Sequence, residues 1–322
     1  MSNISLAENN IVHQQEIRIE VDWVFGLKVA LAVSACFFFI YVNGIMLFTL
    51  RSKSTFRESS RYILFAHMLF NDSVQLLTSV LLYIFAVAYL HIVRAVCAVI
   101  VIMSSTTFYS SPLNLALMCL ERYIAICFPL RHSEIMTPKR TILAVCVIWF
   151  FGSINQATDV IGILITDPSF FLTSVFCTRE NMLKTKWQVD TKIAITSIYF
   201  VAVGVILLYT YAAIMLEARS VSSDRASATK ARNTVLLHAV QLSLCLTSFL
   251  YGVIEALLAK MTVSVFIHLR YLNFVVLLIL PRCLSPLIYG LRDESFRPLF
   301  KYYFTCSSKK VRPISNRKKS KP

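Results

Sequence analysis

Several ionisable side chains lie inside long apolar segments of this sequence, where a charge is costly unless it is paired or used. The most unusual are Asp72, the run Glu121–Tyr123 and Arg282. A carboxylate and a guanidinium in apolar surroundings can pair with each other, or can exchange partners when a protein changes state. Further polar side chains in such segments are Asn43, Asn114, Asp159 and Glu255.

The residue patterns of common enzyme classes are missing from the sequence. It has no phosphate-binding loop, no nucleophile elbow, no zinc-protease helix and no metal-ligand spacing of Cys and His. The six histidines are scattered, and no two carboxylates lie one helical turn apart within an apolar segment. We therefore expect no enzyme activity, no cofactor, no metal and no nucleic-acid partner.

The composition indicates a membrane protein. Of 322 residues, 57% are hydrophobic and only 15% are charged, which is too little charge for the surface of a water-soluble protein of this length. Apolar runs that exceed the roughly 20 residues needed to cross a bilayer as a helix recur at Trp23–Leu50, Ile63–Leu90, Val93–Cys127, Thr141–Thr166, Ile193–Leu216, Thr234–Leu258 and Val263–Tyr289. They lack both the two-residue alternation of barrel strands and the polar stripe of soluble bundle helices. The predicted fold is an all-α membrane protein, a seven-transmembrane helix bundle.

Basic residues predict the orientation of this bundle. With the N-terminus placed outside, 22 of the 32 Lys and Arg residues lie on the inner side, nine lie on the outer side and Arg282 lies within the last span. Cytoplasmic loops are enriched in Lys and Arg, so residues 1–22 are predicted to be extracellular and residues 23–292 to form the transmembrane domain. Residues 293–322 would be cytoplasmic, beginning with a short amphipathic helix. The basic tail after it could lie against anionic lipid or be solvated.

We therefore predict a multi-pass plasma-membrane protein whose first span serves as its targeting signal, because no cleavable signal peptide is visible. Cys97 and Cys177 are the only two of nine cysteines that this topology places outside, where oxidation is permitted. They are predicted to pair and to tie the longest outer loop over the third span. Asn3, in an Asn-Ile-Ser sequon, is a candidate glycosylation site, and Cys306 is a candidate for palmitate.

The third and seventh predicted spans contain features of a conformational switch. Glu121–Tyr123 begins 24 residues after Cys97, about 36 Å along a helix, so the third span would reach from the outer disulfide to the cytoplasm. Its arginine could be held by the adjacent glutamate in one state and released in another. Pro286 interrupts the last span near its inner end and frees a backbone carbonyl. Tyr289 follows within one turn, so this helix could change its packing.

Two stretches and five single residues resemble one receptor family. Met118–Cys127 (MCLERYIAIC), followed by Pro129–His132 (PLRH), closely resembles the MAYDRYVAICxPLxY stretch of vertebrate odorant receptors, which are rhodopsin-like G-protein-coupled receptors. Ser285–Asp293 (SPLIYGLRD) is similar to their NPxxYSLRN. The resemblance covers nearly the whole chain, and the PLRH and GLRD extensions resemble a fish- or amphibian-type branch. Single landmarks of the superfamily match in order and spacing at Asn43, Asp72, Cys97, Trp149 and Cys177.

The resemblance implies an odorant receptor that binds a small odorant in the outer half of the bundle and activates a heterotrimeric G protein. The alternative is a non-olfactory rhodopsin-like receptor for a lipid or another small mediator. A channel or transporter would show internal repeats and broken helices, which the sequence lacks. The implied switch residues are Glu121, Arg122, Tyr123, Tyr211, Ser285, Pro286 and Tyr289. The implied pocket, between spans three, five, six and seven, is lined by Ser104, Ser105, Phe108, Ile195, Tyr199, Phe249, Tyr251 and Val275.

The chain also departs from the family pattern. Ser285 replaces the asparagine that precedes the family's proline, and the fifth and sixth spans lack a central proline. No carboxylate lies on the third span near Ser104, so an amine ligand would leave its charge unpaired there.

One pairing is predicted from charge and depth together. Arg282 lies one turn further out than Pro286, and Asp72 lies at the matching depth of the second span. The resemblance implies that the residue at the Asp72 position helps to bind a sodium ion. We predict that Arg282 takes the place of this ion and pairs with Asp72, with Asn43 in the same buried polar network. The alternative is that Arg282 bonds to backbone carbonyls or water.

Overall fold

Long apolar helices make up most of the chain that the structure describes. The structure is a computed structural model that describes residues 23–88, 90–166, 171, 173–177, 186–220, 240, 243, 247, 250, 254 and 269–305. The first five predicted spans correspond to helices α1 (Trp23–Arg51), α3 (Ser60–Val87), α4 (Arg94–Cys127), α6 (Pro138–Thr166) and α7 (Lys186–Ser220). Helix α7 begins seven residues before the span predicted at Ile193, because a helix continues past the apolar run from which the prediction was made. The loops on the side predicted to be cytoplasmic, called inner from here on, contain the short helices α2 (Ser54–Arg57) and α5 (His132–Ile135).

The seventh span is described from Leu269, and it is not a regular helix. Its Phe274–Ile279 segment is π-helical, and α8 (Leu280–Arg292) continues it. The Leu280 N–H bonds to the Val275 carbonyl, five residues back. Pro281 follows and has no N–H to donate, so the regular four-residue ladder cannot be kept at this point. The interruption was predicted at Pro286 alone, which lies inside α8.

A final short helix confirms the predicted amphipathic segment. Helix α9 covers Arg297–Phe304. Phe296 and Phe300 are buried against Met46 and Phe65 of the first two spans. The sixth predicted span, Thr234–Leu258, lies outside the described residues except for five single positions, as do Phe249, Tyr251, Asn3 and Cys306.

The described helices have the surface expected in lipid. Six of them are long and apolar enough to cross a membrane, the sixth being Leu269–Ile288 of the seventh span. Large apolar side chains such as Phe37, Phe150 and Leu208 are exposed on the first, fourth and fifth spans. In water such surfaces would be unstable, whereas hydrocarbon solvates them without cost.

The third span is the centre of the bundle and packs against the second, fourth and fifth spans. Every residue from Ser104 to Ser111 is buried, although most of them are Ser or Thr. The fourth span comes especially close at Gly152, where a Cβ atom would collide with Ser110 Oγ and lie 3.1 Å from the Thr106 carbonyl oxygen. Only glycine permits this approach.

The outer end of the third span is held by a small two-stranded sheet. Strand β1 (His91–Val93) pairs antiparallel with β2 (Ser174–Phe176) of the outer loop. The Arg94 guanidinium donates to Thr173 Oγ1 at 2.8 Å. These contacts place the described part of the outer loop, residues 173–177, beside the outer end of the third span.

Candidate functional site

The disulfide expected at the outer end is present. Cys97 and Cys177 are bonded, with their Cα atoms 5.6 Å apart, and both are buried. The bond lies beside the β1–β2 sheet. The outer loop is therefore attached to the third span by a covalent bond and by backbone pairing.

Asp72 and Arg282 lie together in the interior. Arg282 Nη1 is 3.4 Å from Asp72 Oδ1, and the two side chains are 5% and 2% exposed. The guanidinium also lies over the Phe108 ring, 5.9 Å from its centroid. Within the described residues Arg282 Nε has no hydrogen-bond partner. The geometry is that of a charge pair between the second and seventh spans.

Asn43 is not part of this pair. Its amide donates instead to Ser73 Oγ at 3.2 Å. Successive residues of a helix point about 100° apart, so Ser73 faces the first span while Asp72 faces the third and seventh. The prediction of Asn43 in one network with Asp72 and Arg282 was wrong for this reason.

A ladder of buried hydrogen bonds runs outward from the charge pair. Ser111 Oγ lies 3.4 Å from Asp72 Oδ1 and accepts a hydrogen bond of 2.6 Å from Asn71 Nδ2. Asn71 also donates to the Thr107 carbonyl at 2.9 Å. These bonds join the second and third spans.

The ladder continues from Thr107 toward the outer side. The Thr107 hydroxyl donates to Gln75 Oε1 at 2.6 Å, and Gln75 Nε2 donates to Ser104 Oγ at 3.3 Å and to Ser79 Oγ at 3.1 Å. Ser104, predicted as a ligand contact, is therefore the outer end of this polar ladder. Ser104 is thus connected to the charge pair through side chains and the backbone carbonyl of Thr107.

The inner switch differs from the sequence interpretation. Glu121 Oε1 contacts His132 Nε2 at 3.2 Å, and the Glu121 side chain is buried. Arg122 does not pair with Glu121, and its Nε has no hydrogen-bond partner among the described residues. Adjacent helical residues do not face each other, which explains the error. His132 belongs to the short helix α5, so the observed contact joins the third span to the second inner loop.

A tyrosine pair connects the third and fifth spans, but it does not involve Tyr211. The hydroxyls of Tyr123 and Tyr209 are 3.4 Å apart, and their rings are in edge-to-face contact. Tyr211 is 44% exposed, because it lies two residues further along the helix and points away from the third span. The side chains of Ser285 and Tyr289 lie outside what the structure describes.

A histidine network in the middle of the bundle was not predicted from the sequence. Trp149 Nε1 donates to His67 Nε2 at 2.8 Å, so the proton of the neutral imidazole is on Nδ1. This Nδ1 lies 2.9 Å from Asn114 Oδ1. The network joins the second, third and fourth spans. His67, Asn114 and Trp149 are polar side chains in apolar segments, which is a signal for buried hydrogen bonding. That they lie at the same depth in the bundle depends on how the helices pack, which the sequence does not show.

The structural role of Asp293, at the inner surface, was also not predicted from the sequence. Its carboxylate accepts from Arg61 Nη2 at 2.8 Å and from the Tyr62 hydroxyl at 3.1 Å. It also accepts from the backbone N–H groups of Ser295 and Phe296 at 2.9 and 3.0 Å, a local turn that aspartate favours. One buried carboxylate thus ties the inner end of the second span to the turn between α8 and α9.

Apart from Ser104 in the ladder, the predicted ligand residues that the structure describes fall in two places. Phe108, Ile195, Tyr199 and Val275 belong to one apolar cluster between the third, fifth and seventh spans. Ser105 instead lines a separate cleft between the third, fourth and fifth spans. Within the described ranges no group of three His, Cys, Asp or Glu side chains could hold a metal ion.

Comparison with known proteins gives matches over most of the chain. A family model described as "7 transmembrane receptor (rhodopsin family)" matches residues 21–289. Odorant receptor 131-2 of Danio rerio is 38% identical over 273 residues, which are 83% of this chain and 82% of the relative. Olfactory receptor-like protein OLF4 of Canis lupus familiaris is 26% identical over 198 residues, which are 59% of this chain and 62% of that relative. Putative olfactory receptor 7A2 of Homo sapiens is 27% identical over 203 residues, with coverages of 60% and 62%.

Proposed function

The chain belongs to the rhodopsin family of seven-transmembrane receptors, and on that basis we propose that it binds a small odorant in the outer half of the bundle and activates a heterotrimeric G protein. The relatives named above are odorant and olfactory receptors, which favours this function over a receptor for a lipid mediator. The family is one of receptors and not of enzymes. We place the N-terminus outside and the C-terminus in the cytoplasm of the plasma membrane.

The polar ladder between Ser104 and the Asp72–Arg282 pair is the main support for ligand-driven switching. It runs from the outer half of the bundle to the interior. A ligand shifts an equilibrium only through a difference in its affinity for the two states. Hydroxyl and amide groups in a ladder can exchange partners at little cost when the third span moves. We propose that the bound odorant favours one arrangement of this ladder, and that a G protein binds the inner surface of the same state.

The inner surface has an exposed side chain suited to such a partner. Leu130 is 93% exposed and lies in the second inner loop, beyond the end of the third span at Cys127. A leucine in a loop outside the bilayer has no lipid to cover it. Burying such a side chain against a partner protein stabilises the complex. We propose that Leu130 is buried by the G protein.

Leu130→Ala should therefore reduce G-protein activation. We expect nucleotide exchange on a panel of Gα subunits, measured with the receptor in nanodiscs, to fall about tenfold, which corresponds to about 1.4 kcal/mol of lost interface energy. Surface expression should not change. Leu143→Ala is the matched control, because Leu143 is an exposed leucine on the lipid face of the fourth span. Wild-type exchange by Leu130→Ala would contradict the proposed docking role.

The Glu121–His132 contact predicts a second effect on signalling. We propose that it holds the inner end of the third span in the inactive state, so Glu121→Gln and His132→Ala should each raise basal activity in a cyclic-nucleotide reporter assay. Because each variant removes the same contact, the double variant should have the same basal activity as either single variant. Arg122→Ala should reach the surface and fail to signal. Additive increases in the double variant would show that the two side chains act separately.

A further inference from the structure

The Asp72 carboxylate lies in the interior of the bundle and has few partners. Its side chain is 2% exposed, and Arg282 Nη1 and Ser111 Oγ are both 3.4 Å from its Oδ1 atom. Among the described residues no further side chain is hydrogen-bonded to this carboxylate. Burying a carboxylate is costly unless a cation compensates its charge. The cation at this position is the guanidinium of Arg282, which belongs to the chain itself.

Two further features hold the guanidinium at this place. It lies over the Phe108 ring, 5.9 Å from the ring centroid, where the face of the ring attracts a cation. The π-helical segment Phe274–Ile279 and Pro281 come directly before Arg282, so the helix turn that carries Arg282 is rotated relative to that of a regular helix. Because the guanidinium is attached to the chain, it cannot dissociate when the concentration of ions outside falls.

A free sodium ion does not fit beside the carboxylate while the guanidinium is there. Hard cations bind several oxygen atoms at once, but Ser111 Oγ already accepts a hydrogen bond of 2.6 Å from Asn71 Nδ2, and the Asn43 amide is bonded to another side chain. An ion in contact with Asp72 would also lie within the few ångströms over which the positive guanidinium acts strongly on it. The sodium ion that family resemblance implies at the Asp72 position therefore disagrees with the observed site.

Oxygen atoms of the kind that bind small cations nevertheless lie close to Asp72. The Asn71 amide is hydrogen-bonded to Ser111 Oγ, and its own Oδ1 atom is buried and has no hydrogen-bond partner among the described residues. The Asp72 carboxylate, the Ser111 hydroxyl and the Asn71 amide oxygen make three oxygen groups in one buried place. Such groups, together with water, are what a hard cation requires when no attached cation takes its place.

We propose that Arg282 is a built-in cation that makes the folded receptor indifferent to sodium, and that removal of its guanidinium leaves a site for a small monovalent cation. The ligands of that site are the carboxylate of Asp72 and the oxygens of Ser111 and Asn71. The inference goes beyond the odorant function, because it concerns the unliganded receptor. It also gives the Asp72–Arg282 pair a role besides stability, which is to exclude a soluble effector from the interior.

Thermal unfolding of the full-length wild-type receptor in nanodiscs tests the first part. The receptor is heated without odorant or G protein in about 150 mM sodium chloride, potassium chloride or N-methylglucamine chloride, which have equal ionic strength. A ligand that binds only the folded state raises the unfolding midpoint. The three midpoints should agree within about 1 °C. A midpoint several degrees higher in sodium than in the other two salts would overturn the proposal.

Arg282→Ala tests the second part, because alanine removes the charge and leaves space. In N-methylglucamine chloride this variant should unfold well below the wild type, and sodium should raise its midpoint by about 3–6 °C. Arg282→Met is the matched control, since it loses the same charge but fills the space with an apolar side chain, and it should show no sodium effect. The double variant Asp72→Asn with Arg282→Ala should also show none, because the anionic ligand is missing.

Each other result for these variants counts against the proposal. The absence of a sodium effect in Arg282→Ala, or an equal effect in Arg282→Met, would contradict the cation site. Failure of Arg282→Ala to fold in sodium chloride would contradict it too, because the ion should replace the lost charge. A receptor that activates no G protein can still show all of these salt responses. A receptor that responds to odorants but has a sodium-dependent wild-type midpoint would contradict this inference alone.

Discussion

Replacing Cys97 or Cys177 with serine is expected to remove most of the receptor from the cell surface. The bond joins positions 80 residues apart, so it strongly restricts the unfolded chain, and loss of such a native disulfide costs roughly 2–5 kcal/mol. Folded proteins are stable by only about 5–15 kcal/mol. The variant would also lose the covalent attachment of the outer loop to the third span.

The experiment compares surface labelling with total expression in transfected cells. Cys146→Ser is the matched control, because Cys146 is a free and exposed cysteine on the fourth span; it should leave the ratio unchanged. The double variant of Cys97 and Cys177 should be no worse than either single variant, since no unpaired thiol remains. Normal surface delivery of Cys97→Ser would show that the bond contributes little to folding.

The spans could be predicted from the sequence because the bilayer imposes a simple rule on length and polarity. A helix needs about 20 apolar residues to cross hydrocarbon. The first five predicted spans match the described helices α1, α3, α4, α6 and α7 closely at every end except the start of α7. The nearness of Asp72 and Arg282 followed from a similar rule, that charges in apolar surroundings require partners.

Contacts that depend on helix rotation and on loop shape could not be predicted in this way. Glu121 is next to Arg122 in sequence, yet its partner is His132, which the second inner loop brings back to the helix. Tyr209 rather than Tyr211 meets Tyr123, because two positions along a helix reverse the direction of a side chain. Amphipathic periodicity would normally reveal the buried face, but lipid-facing and core-facing sides of these spans are both apolar.

The cleft lined by Ser105 and Gln156 shows the same limitation more strongly. Its lining comes from three spans and the outer loop, and no spacing within one segment reveals that these two residues line one cleft. The π-helical segment at Phe274–Ile279 is a further example, since its cause, Pro281, is visible in the sequence but its consequence for Arg282 depends on packing.

Replacing either Asp72 or Arg282 by a neutral residue is expected to have the second large effect, a loss of surface expression. The side chains are 2% and 5% exposed with charged atoms 3.4 Å apart. Removing one member leaves the other charge buried without its partner, at a cost of about 3–5 kcal/mol. Arg282→Met and Asp72→Asn should therefore each reduce surface expression severalfold. Lys28→Met is the matched control, because Lys28 is a cation near the outer end of the first span, over the Tyr271 ring, where loss of the charge leaves no buried carboxylate.

The double variant Asp72→Asn with Arg282→Met distinguishes a pair from two independent residues. Replacing a whole buried ion pair by neutral groups of similar size is often neutral or stabilising, so the double variant should recover most of the surface expression lost in either single variant. Its signalling should remain impaired, because the polar ladder from Ser104 would then end on a neutral amide instead of an ion pair. If the losses in surface expression simply add, the two side chains do not stabilise each other. Recovery of expression together with wild-type signalling would show that the pair serves folding alone and takes no part in the switch.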